Sequence, residues 1–531
     1  MMKVIKELNV VKKNWRKVDL RVALCYPNKY HVGMSSLAIH LIQYLLNSRD
    51  DVVCERIFLP YTQSQPASLE SGQPLKNFDL IGFSIQFETD YPNIVRMLLD
   101  SHIPPYAKDR IDKEFPLIIG GGPCGSGNPE PIADFFDLFV IGDIEPILDI
   151  IIDRCIELKT PKRYLAEFLD ISGVYAPSLH QDSIKSVWVK KLDEVPHPLQ
   201  QVVPMVDVED TVSPAFGKTF LTEISRGCSH GCRFCLIGCI NRPYRERSLH
   251  VLKTIIDTGT RLTGVEKVSL IGAALSDYKH LETLCWHIVN SGLNLSIASL
   301  RADCVTPNLI EALTKSGQKT IALAPETGTN DLRSCIHKGI TNDDIIKAVE
   351  IASEHGINNL KLYYIIGFPM EGQADLEGII SLTKTVLKLK FRKIMLSINP
   401  FVPKAHTPFQ WDSQPPLEVL RQKKKFIESA LRKLAPRIEL NFLDFRWGKI
   451  QTLLSTGGRE LGEVVKSVAE RSASLGSWRY ALSRSHIDLE DYIHRFSLYQ
   501  ETPWDHIQHN VRKELLIKER KLVEKGKHIL R

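Results

Sequence analysis

From residue 19 to about residue 160, short apolar runs alternate with amphipathic stretches. Val22 to Tyr26, Val52 to Phe58, Leu80 to Ile85, Leu117 to Gly120 and Leu138 to Ile141 read as strands. Ser35 to Leu46 has helical spacing and a serine start signal, and a second helical pattern runs to Leu158 after Gly142-Asp-Ile-Glu145. This alternation predicts an α/β domain, a parallel sheet covered on both faces. Such sheets bind ligands beyond the carboxyl ends of their strands. The stretch Gly120-Gly121-Gly122, Ser84 and the loop Pro27 to Gly33 lie at those predicted ends.

The pattern then weakens. Residues 161–215 read as a connector, with a candidate hairpin from Val174–Ala176 and Ser186–Lys190 and a linker at Pro196, Pro198 and Pro204. Near Lys218 the alternation resumes. Phe220–Ile224, Val268–Ile271, Leu295–Ser299, Thr320–Ala324, Leu360–Ile366 and Ile394–Ile398 read as strands. Helical patterns separate them at Leu249–Leu262, Lys279–Asn290, Asn308–Ser316, Asp343–His355 and Leu376–Leu387. Six βα units predict a partial barrel, whose chemistry belongs at the carboxyl ends of its strands. Residues 416–531 read as mainly helical, with a short strand at Arg437–Phe442. The predicted domains are 1–160, 161–215, 216–415 and 416–531.

Composition adds class rather than chemistry. The 531 residues are 43% hydrophobic and 24% charged, an ordinary globular balance. The longest apolar candidate, Phe135 to Ile152, is broken by Asp137, Asp143, Glu145 and Asp149, so no membrane span is expected. There is no apolar signal core at the N-terminus, so the cytoplasm is the expected compartment. Eleven cysteines do not look like a disulfide framework. The net charge of +6 is concentrated in Val511–Arg531, which holds eight Lys/Arg and three Glu. That tail reads either as a contact for RNA or, more simply, as a solvated helix with ion pairs.

The candidate chemistry lies in the loop after the strand Phe220–Ile224. Cys228, Cys232 and Cys235 are spaced C-x3-C-x2-C. At this cysteine content the spacing arises by chance about once in 2,000 cases. A cubane cluster usually takes four thiolates. Three leave one iron open, as a catalytic zinc keeps an open position. A zinc knuckle would want a fourth ligand; Cys239 is a candidate, and no second C-x2-C follows.

The triplet, with Phe234 before its last cysteine, resembles the signature of the radical S-adenosylmethionine (SAM) enzymes. That resemblance implies a [4Fe–4S] cluster on Cys228, Cys232 and Cys235, with SAM chelating the open iron. One-electron cleavage of SAM then yields methionine and a 5′-deoxyadenosyl radical, the electron coming from a donor such as flavodoxin or ferredoxin. Carried over by position, the SAM contacts are the backbone of Gly272 and Ala273, Arg301 for the carboxylate, Glu326 for the ribose or amino group, and Gly367 beside adenine. The family's acidic residue is missing from Ile271-Gly272-Ala273-Ala274, and Met370 replaces a glycine in Gly367-Phe-Pro-Met-Glu371.

The first region resembles the cobalamin-binding-like domain found ahead of many radical SAM cores, through Gly121-Gly122-Pro123 and Gly142-Asp-Ile-Glu145. The implied fold is a flavodoxin/Rossmann-like parallel sheet domain, then a partial (β/α)6 radical SAM barrel and a mainly helical C-terminal region. Implied cobalamin contacts are Asn28, Tyr30, Gly33, Ser84, Gly121 and Gly122. The D-x-H-x-x-G pattern that ligates cobalt becomes Asn28-Lys-Tyr30-His-Val-Gly33, so no lower axial histidine is supported. Three functions remain open: cobalamin-assisted methylation of an unknown substrate, a methylthiotransferase-like modification of RNA or protein, and a non-catalytic iron–sulfur protein that binds nucleic acid or senses redox state. The second usually needs another cysteine set, and the remaining cysteines are scattered. His406 and Lys404, in the proline-rich loop 399–412, are weaker candidates for substrate contact or loop packing.

Overall fold

The computed structural model describes residues 5–62, 64–111, 114–205, 211–432, 436–494 and 496–524. The N-terminal sheet contains β1 (Leu20–Tyr26), β2 (Val52–Phe58), β3 (Leu80–Ser84), β4 (Leu117–Gly121), β5 (Leu138–Val140) and β6 (Val174–Tyr175). Their spatial order is β2-β1-β3-β4-β5-β6. β1 to β5 run parallel, and β6 closes the edge antiparallel to β5. Because β1 lies between β2 and β3, successive connections leave it in opposite directions, which opens a crevice at its carboxyl end.

Both faces are covered, as a parallel sheet requires. Helix α1 (Leu37–Asn47) and helix α3 (Leu148–Leu158) bury Ile39, Leu46, Ile151 and Ile152 against Leu24 and Ile119 on one face. On the other, helix α2 (Tyr91–Asp100) buries Ile94, Val95 and Leu98.

The second parallel system starts with β7 (Phe220–Glu223). It continues through α4 (Leu236–Ile240), α5 (Leu249–Thr263), β8 (Lys267–Ile271), α6 (Leu281–Asn290), β9 (Asn294–Ser296) and α7 (Pro307–Lys315). Then follow β10 (Thr320–Glu326), α8 (Asn342–Glu354), β11 (Asn359–Ile366), α9 (Gln373–Val386) and β12 (Lys393–Pro400). α10 (Leu417–Leu431) and β13 (Ile438–Phe442) add one more unit. β7-β8-β9 and β10-β11-β12-β13 are both parallel, and a parallel bridge between Leu300 and Leu323 joins them. Local chemistry sets the helix starts. Ser248 caps α5, Thr306 with Pro307 opens α7, and Thr341 with Asp344 forms a capping box on α8. In β11 full burial alternates with partial burial, placing Leu360, Leu362, Tyr364 and Ile366 under the helices.

The structure corrects two expectations. Val174–Ala176 and Ser186–Lys190 do not form a hairpin: Val174–Tyr175 extends the N-terminal sheet, Val187 makes a parallel bridge to Gly142, and the strand just before it, Ile184–Lys185, pairs with Ile507–Gln508. Residues 416–442 continue the βα alternation. Only afterwards do α11 (Phe445–Ser455), α12 (Gly462–Ala469) and α13 (Leu475–Arg484) cross back and bury Leu453, Val465 and Trp478 against α2. The last described helix, α14 (Lys513–Glu524), instead docks beside the cysteine loop.

Candidate active site

The cysteine loop leaves β7 and is pinched at its base. Ser225–Arg226 pair antiparallel with Arg245–Glu246, so residues 227–244 form a closed excursion. Gly227 turns into it at φ +82°, where a Cβ would collide with the carbonyls of Asn241 and Pro243. Cys228, Cys232 and Cys235 are half-buried in this loop, while Cys239, on α4, is buried.

Neighbouring strand-end loops pin the excursion. His230 Nε2 lies 2.8 Å from Asp277 Oδ1, and Ser229 Oγ donates to the same carboxylate. Arg242 donates to the Gly238 and His230 carbonyls at 2.8 and 2.7 Å. The Arg233 amide donates to the Ile336 carbonyl at 3.0 Å, and its guanidinium pairs with Glu519 of α14 at 2.8 Å.

The three thiols lie within electrostatic reach of one another. Burial pushes Cys232 up to about 12, against the pull of Lys338. Cys228 and Cys235 are also pushed up, first by burial. Deprotonating them therefore calls for a bound cation, which is the role of metal at a thiolate site. Among the described residues no three His, Cys, Asp or Glu side chains converge on a single-ion position. A cubane differs, since each thiolate takes its own iron. Three thiols on one constrained loop, flanked by cations, fit such a cluster.

The charged residues expected around SAM are present but engaged. Arg301 donates to Asp303 from Nε (3.1 Å) and Nη2 (2.8 Å), and to the Lys338 carbonyl from Nη1 (3.2 Å). Glu326 pairs with Lys338 at 2.8 Å, with both side chains about one-tenth exposed. Glu326 sits at φ +65°, where β10 breaks register, so its backbone is strained at the site. Lys338 has no sequence signal, because it lies twelve residues beyond Glu326 and outside any strand end. Burial opposes its charge, yet Glu326 and then Cys232 hold its ammonium above the usual lysine range.

The remaining predicted contacts divide between site and scaffold. Gly272 follows β8 with its Cα face against Ser225, where a Cβ would come within 2.7 Å of Oγ. Ala273 is next along the same strand-end loop. Gly367 adopts φ +92° and donates its amide to Glu371 at 2.6 Å. Phe234 packs edge-on against Phe368 at 5.8 Å, joining the cysteine loop to that turn. Lys404 pairs with Glu88 and His406 is buried, so the 399–412 loop packs against the N-terminal sheet domain.

A cavity of about 560 Å³ opens between the two parallel systems. Ser84, Gly121 and Gly122 line it from the N-terminal strand ends; Arg226, Ile237 and Ile271 line it from the cysteine-loop side. Its apolar depth runs between the sheet and helices α1 and α3, past Leu24, Leu46, Ile119 and Ile151. Gly82 and Gly121 border it, and Cβ atoms there would meet nothing closer than 4.0 and 3.9 Å, so these glycines keep the space open. Asn28, Tyr30 and Gly33 are not part of this wall. Asn28 bonds Asp90 at 2.8 Å, buried Tyr30 bonds Glu7 at 2.8 Å, and Gly33 abuts the Phe58 ring. The cavity wall resumes only just beyond this loop, at Ser35 to Ala38. His31 bonds Tyr61 at 2.9 Å, and the described cavity wall contains no histidine.

Known families match this layout. Residues 38–177 match radical SAM proteins, N-terminal, and residues 222–383 match the radical SAM superfamily. The chain belongs to the radical SAM superfamily, whose cofactors are a [4Fe–4S] cluster and SAM. An uncharacterized protein of Methanocaldococcus jannaschii is 34% identical over 481 residues, 90% of this chain and 97% of its own length. A tRNA-2-methylthio-N(6)-dimethylallyladenosine synthase of Aquifex aeolicus is 22% identical, matching 41% of this chain and 52% of its own. Among solved structures, the cobalamin-dependent SAM radical enzyme OxsB aligns over 95% of this chain and 79% of its own, at 15% identity and TM-score 0.49. The methyltransferase TsrM from Kitasatospora setae aligns over 71% and 72%, at 16% identity and TM-score 0.47.

Proposed function

We propose that this radical SAM enzyme binds cobalamin in its N-terminal domain and methylates an unactivated carbon of its substrate. The supporting observation is the cavity between the two parallel systems, walled by N-terminal strand ends on one side and by the cysteine loop on the other. In this reading the N-terminal domain is the flavodoxin-like cobalamin domain and β7 to β12 are the partial (β/α)6 core. When bound, the cluster would supply an electron to SAM and cobalamin would supply the methyl group.

The chain's own groups would orient those partners. Cys228, Cys232 and Cys235 would hold the cluster. Arg301 and Lys338 would meet the SAM carboxylate by exchanging part of their pairing with Asp303 and Glu326. Ser84, Gly121 and Gly122 would face the cobalamin ring, and the apolar slot would take its nucleotide base. The described wall offers no histidine to such a cofactor.

A methylthiotransferase-like reaction is less favoured. The other described cysteines are Cys25, Cys54, Cys124, Cys155, Cys239, Cys285, Cys304 and Cys335. They are scattered along the chain and form no second tight set of three. The electron donor we infer is a flavodoxin or ferredoxin. RNA contact by the C-terminal segment is also less favoured. Within the described part, Arg520 pairs bidentately with Asp412 at 2.7 Å and Lys513 pairs with Asp505 at 2.5 Å. Residues 525–531 lie outside the described residues.

Anaerobic reconstitution with iron, sulfide, SAM and hydroxocobalamin tests the proposal. The wild type should retain cobalamin through gel filtration and form 5′-deoxyadenosine, and Cys228→Ala should form none. Gly82→Leu should fill the slot and lose cobalamin with its iron content unchanged. Retention of cobalamin by Gly82→Leu would remove the cavity as its site.

A further inference from the structure

The motif Gly142-Asp143-Ile144-Glu145 follows β5 and borders the cavity, and its carboxylates also reach across to the cysteine loop. Gly142 adopts φ +107°, and a Cβ there would collide with the Val187 carbonyl, so the turn is pressed against the connector. The two carboxylates it presents meet Arg226. Arg226 Nη1 lies 3.1 Å from Asp143 Oδ1, and Nη2 lies 2.8 Å from Glu145 Oε1. Nε and Nη2 also grip Glu223 at 3.0 and 2.9 Å. All four side chains are at most 14% exposed. Arg245, 3.6 Å from Asp143, and Arg247, 3.9 Å from Glu223, bring the cluster to three cations against three anions.

The placement gives this network its meaning. Asp143, Glu145, Glu223 and Arg226 all line the cavity. Arg226 is two residues before Cys228, separated from it only by the constrained Gly227. Arg226 also belongs to the two-residue ribbon that closes the base of the cysteine loop. A planar guanidinium that holds three carboxylates has few alternative geometries; an ammonium cannot reproduce that fork. A shift of the 143–145 turn is therefore transmitted to the start of the cysteine loop.

We propose that Arg226 is a positioning residue that couples the occupant of the cavity to the cluster-bearing loop, with Asp143 and Glu145 as its N-terminal anchors. This rests on the reading of the cavity as the cobalamin site. The cluster itself is not touched by Arg226; its three thiols are set in place through the chain direction at Gly227. The motif after β5 is thus the N-terminal jaw of an inter-domain clamp.

The test uses full-length protein carrying the reconstituted cluster, with Arg226→Lys, Glu145→Gln and Asp143→Asn. Electron paramagnetic resonance of the SAM-bound cluster is recorded without and with added cobalamin, excess titanium(III) citrate keeping the cluster reduced and the cobalamin as diamagnetic cob(I)alamin. In the wild type the signal should shift on addition. In Arg226→Lys and Glu145→Gln the iron content should stay near that of a full cubane, about four per chain. The shift should be lost, and 5′-deoxyadenosine formation should fall at least about tenfold, as misplacement of reacting groups does. A role confined to stability would lower the melting temperature and leave the signal unchanged.

Persistence of the shift in both variants, or a wild type that binds cobalamin with no shift, overturns the clamp. If the wild type fails to retain cobalamin, the cavity assignment fails instead. The clamp is then judged on the cobalamin-free, SAM-bound signal, which must differ between wild type and variants; identity rejects it. Should Arg226→Lys not fold, Glu145→Gln and Asp143→Asn carry the same comparison.

Discussion

Lys338 and Glu326 show how a single pair links strain, charge and chemistry. Both are nearly buried, and each is the other's counter-ion at 2.8 Å. Removing one partner of such a pair leaves an uncompensated charge and costs about 3–5 kcal/mol, whereas removing both is often close to neutral. Lys338→Gln should therefore destabilise the protein, and Lys338→Gln with Glu326→Gln should recover most of that loss, as read by anaerobic chemical denaturation. The double variant should keep its iron but bind SAM more weakly, by about tenfold or more, as expected when a charge-assisted contact to a carboxylate is lost. Unchanged SAM affinity in the folded double variant would remove Lys338 from the SAM site. Arg301 was legible from the sequence as a cation at a strand end; its bidentate partner Asp303, two residues away, was legible as a competitor. Lys338 was not legible, since its approach to Cys232 depends on how the turn after β10 folds back.

At the scale of elements, α14 is the informative case. Its sequence is a basic run, but its buried face carries Leu516, Arg520 and Val523. Val523 enters the apolar cluster of Leu332, Ile336, Phe368, Phe401 and Phe409, with Phe234 and Met370 packed against it. Glu519 holds Arg233, between cysteines of the triplet. Arg520→Ala should leave Asp412 buried and unpaired and loosen this helix. The expected outcome is faster loss of cluster iron to a chelator, with the far-ultraviolet circular dichroism almost unchanged. Equal rates of iron loss in variant and wild type would show that the helix does not brace the loop. The strands and helices of both parallel systems were legible, because a covered parallel strand is a continuous apolar run and its helices repeat at 3.6 residues. The false hairpin at 174–190 had short segments whose partners lie far away in sequence, which local pattern does not encode.

For the whole molecule, the contacts between the parallel systems and the C-terminal segment are rich in buried histidine. His509 bonds the Ser126 carbonyl at 2.8 Å and stacks edge-on with His406 at 4.5 Å. Burial holds His509 down at about 4 and His406 well below the usual range, with His509 adding to the latter effect. The folded state keeps these rings neutral, while the unfolded chain takes up protons below about pH 6.5. Stability from each site is therefore present above that pH and declines as pH falls towards the folded value. For His509 the loss between pH 7 and pH 5 is ~2 kcal/mol. His509→Gln, which can still donate to Ser126, should make the pH dependence shallower by about that amount. Denaturant midpoints at the two pH values check it; an unchanged slope would mean that His509 does not titrate on unfolding.

By itself the sequence determined two runs of βα alternation, three thiols on one loop after the first strand of the second run, and glycines at the N-terminal strand ends. These are local properties: residue periodicity selects the element, and cysteine spacing over seven residues brings the sulfurs onto one excursion. Only the tertiary structure decided that Asn28, Tyr30 and Gly33 lie outside the cavity wall, that Lys338 reaches Glu326, and that the C-terminal helices cover the N-terminal sheet domain. It also decided that Asp143 and Glu145 close on Arg226. Those facts depend on buried charge and apolar surface finding partners from a dozen to hundreds of residues away, and such pairings are selected by the packing of the whole chain.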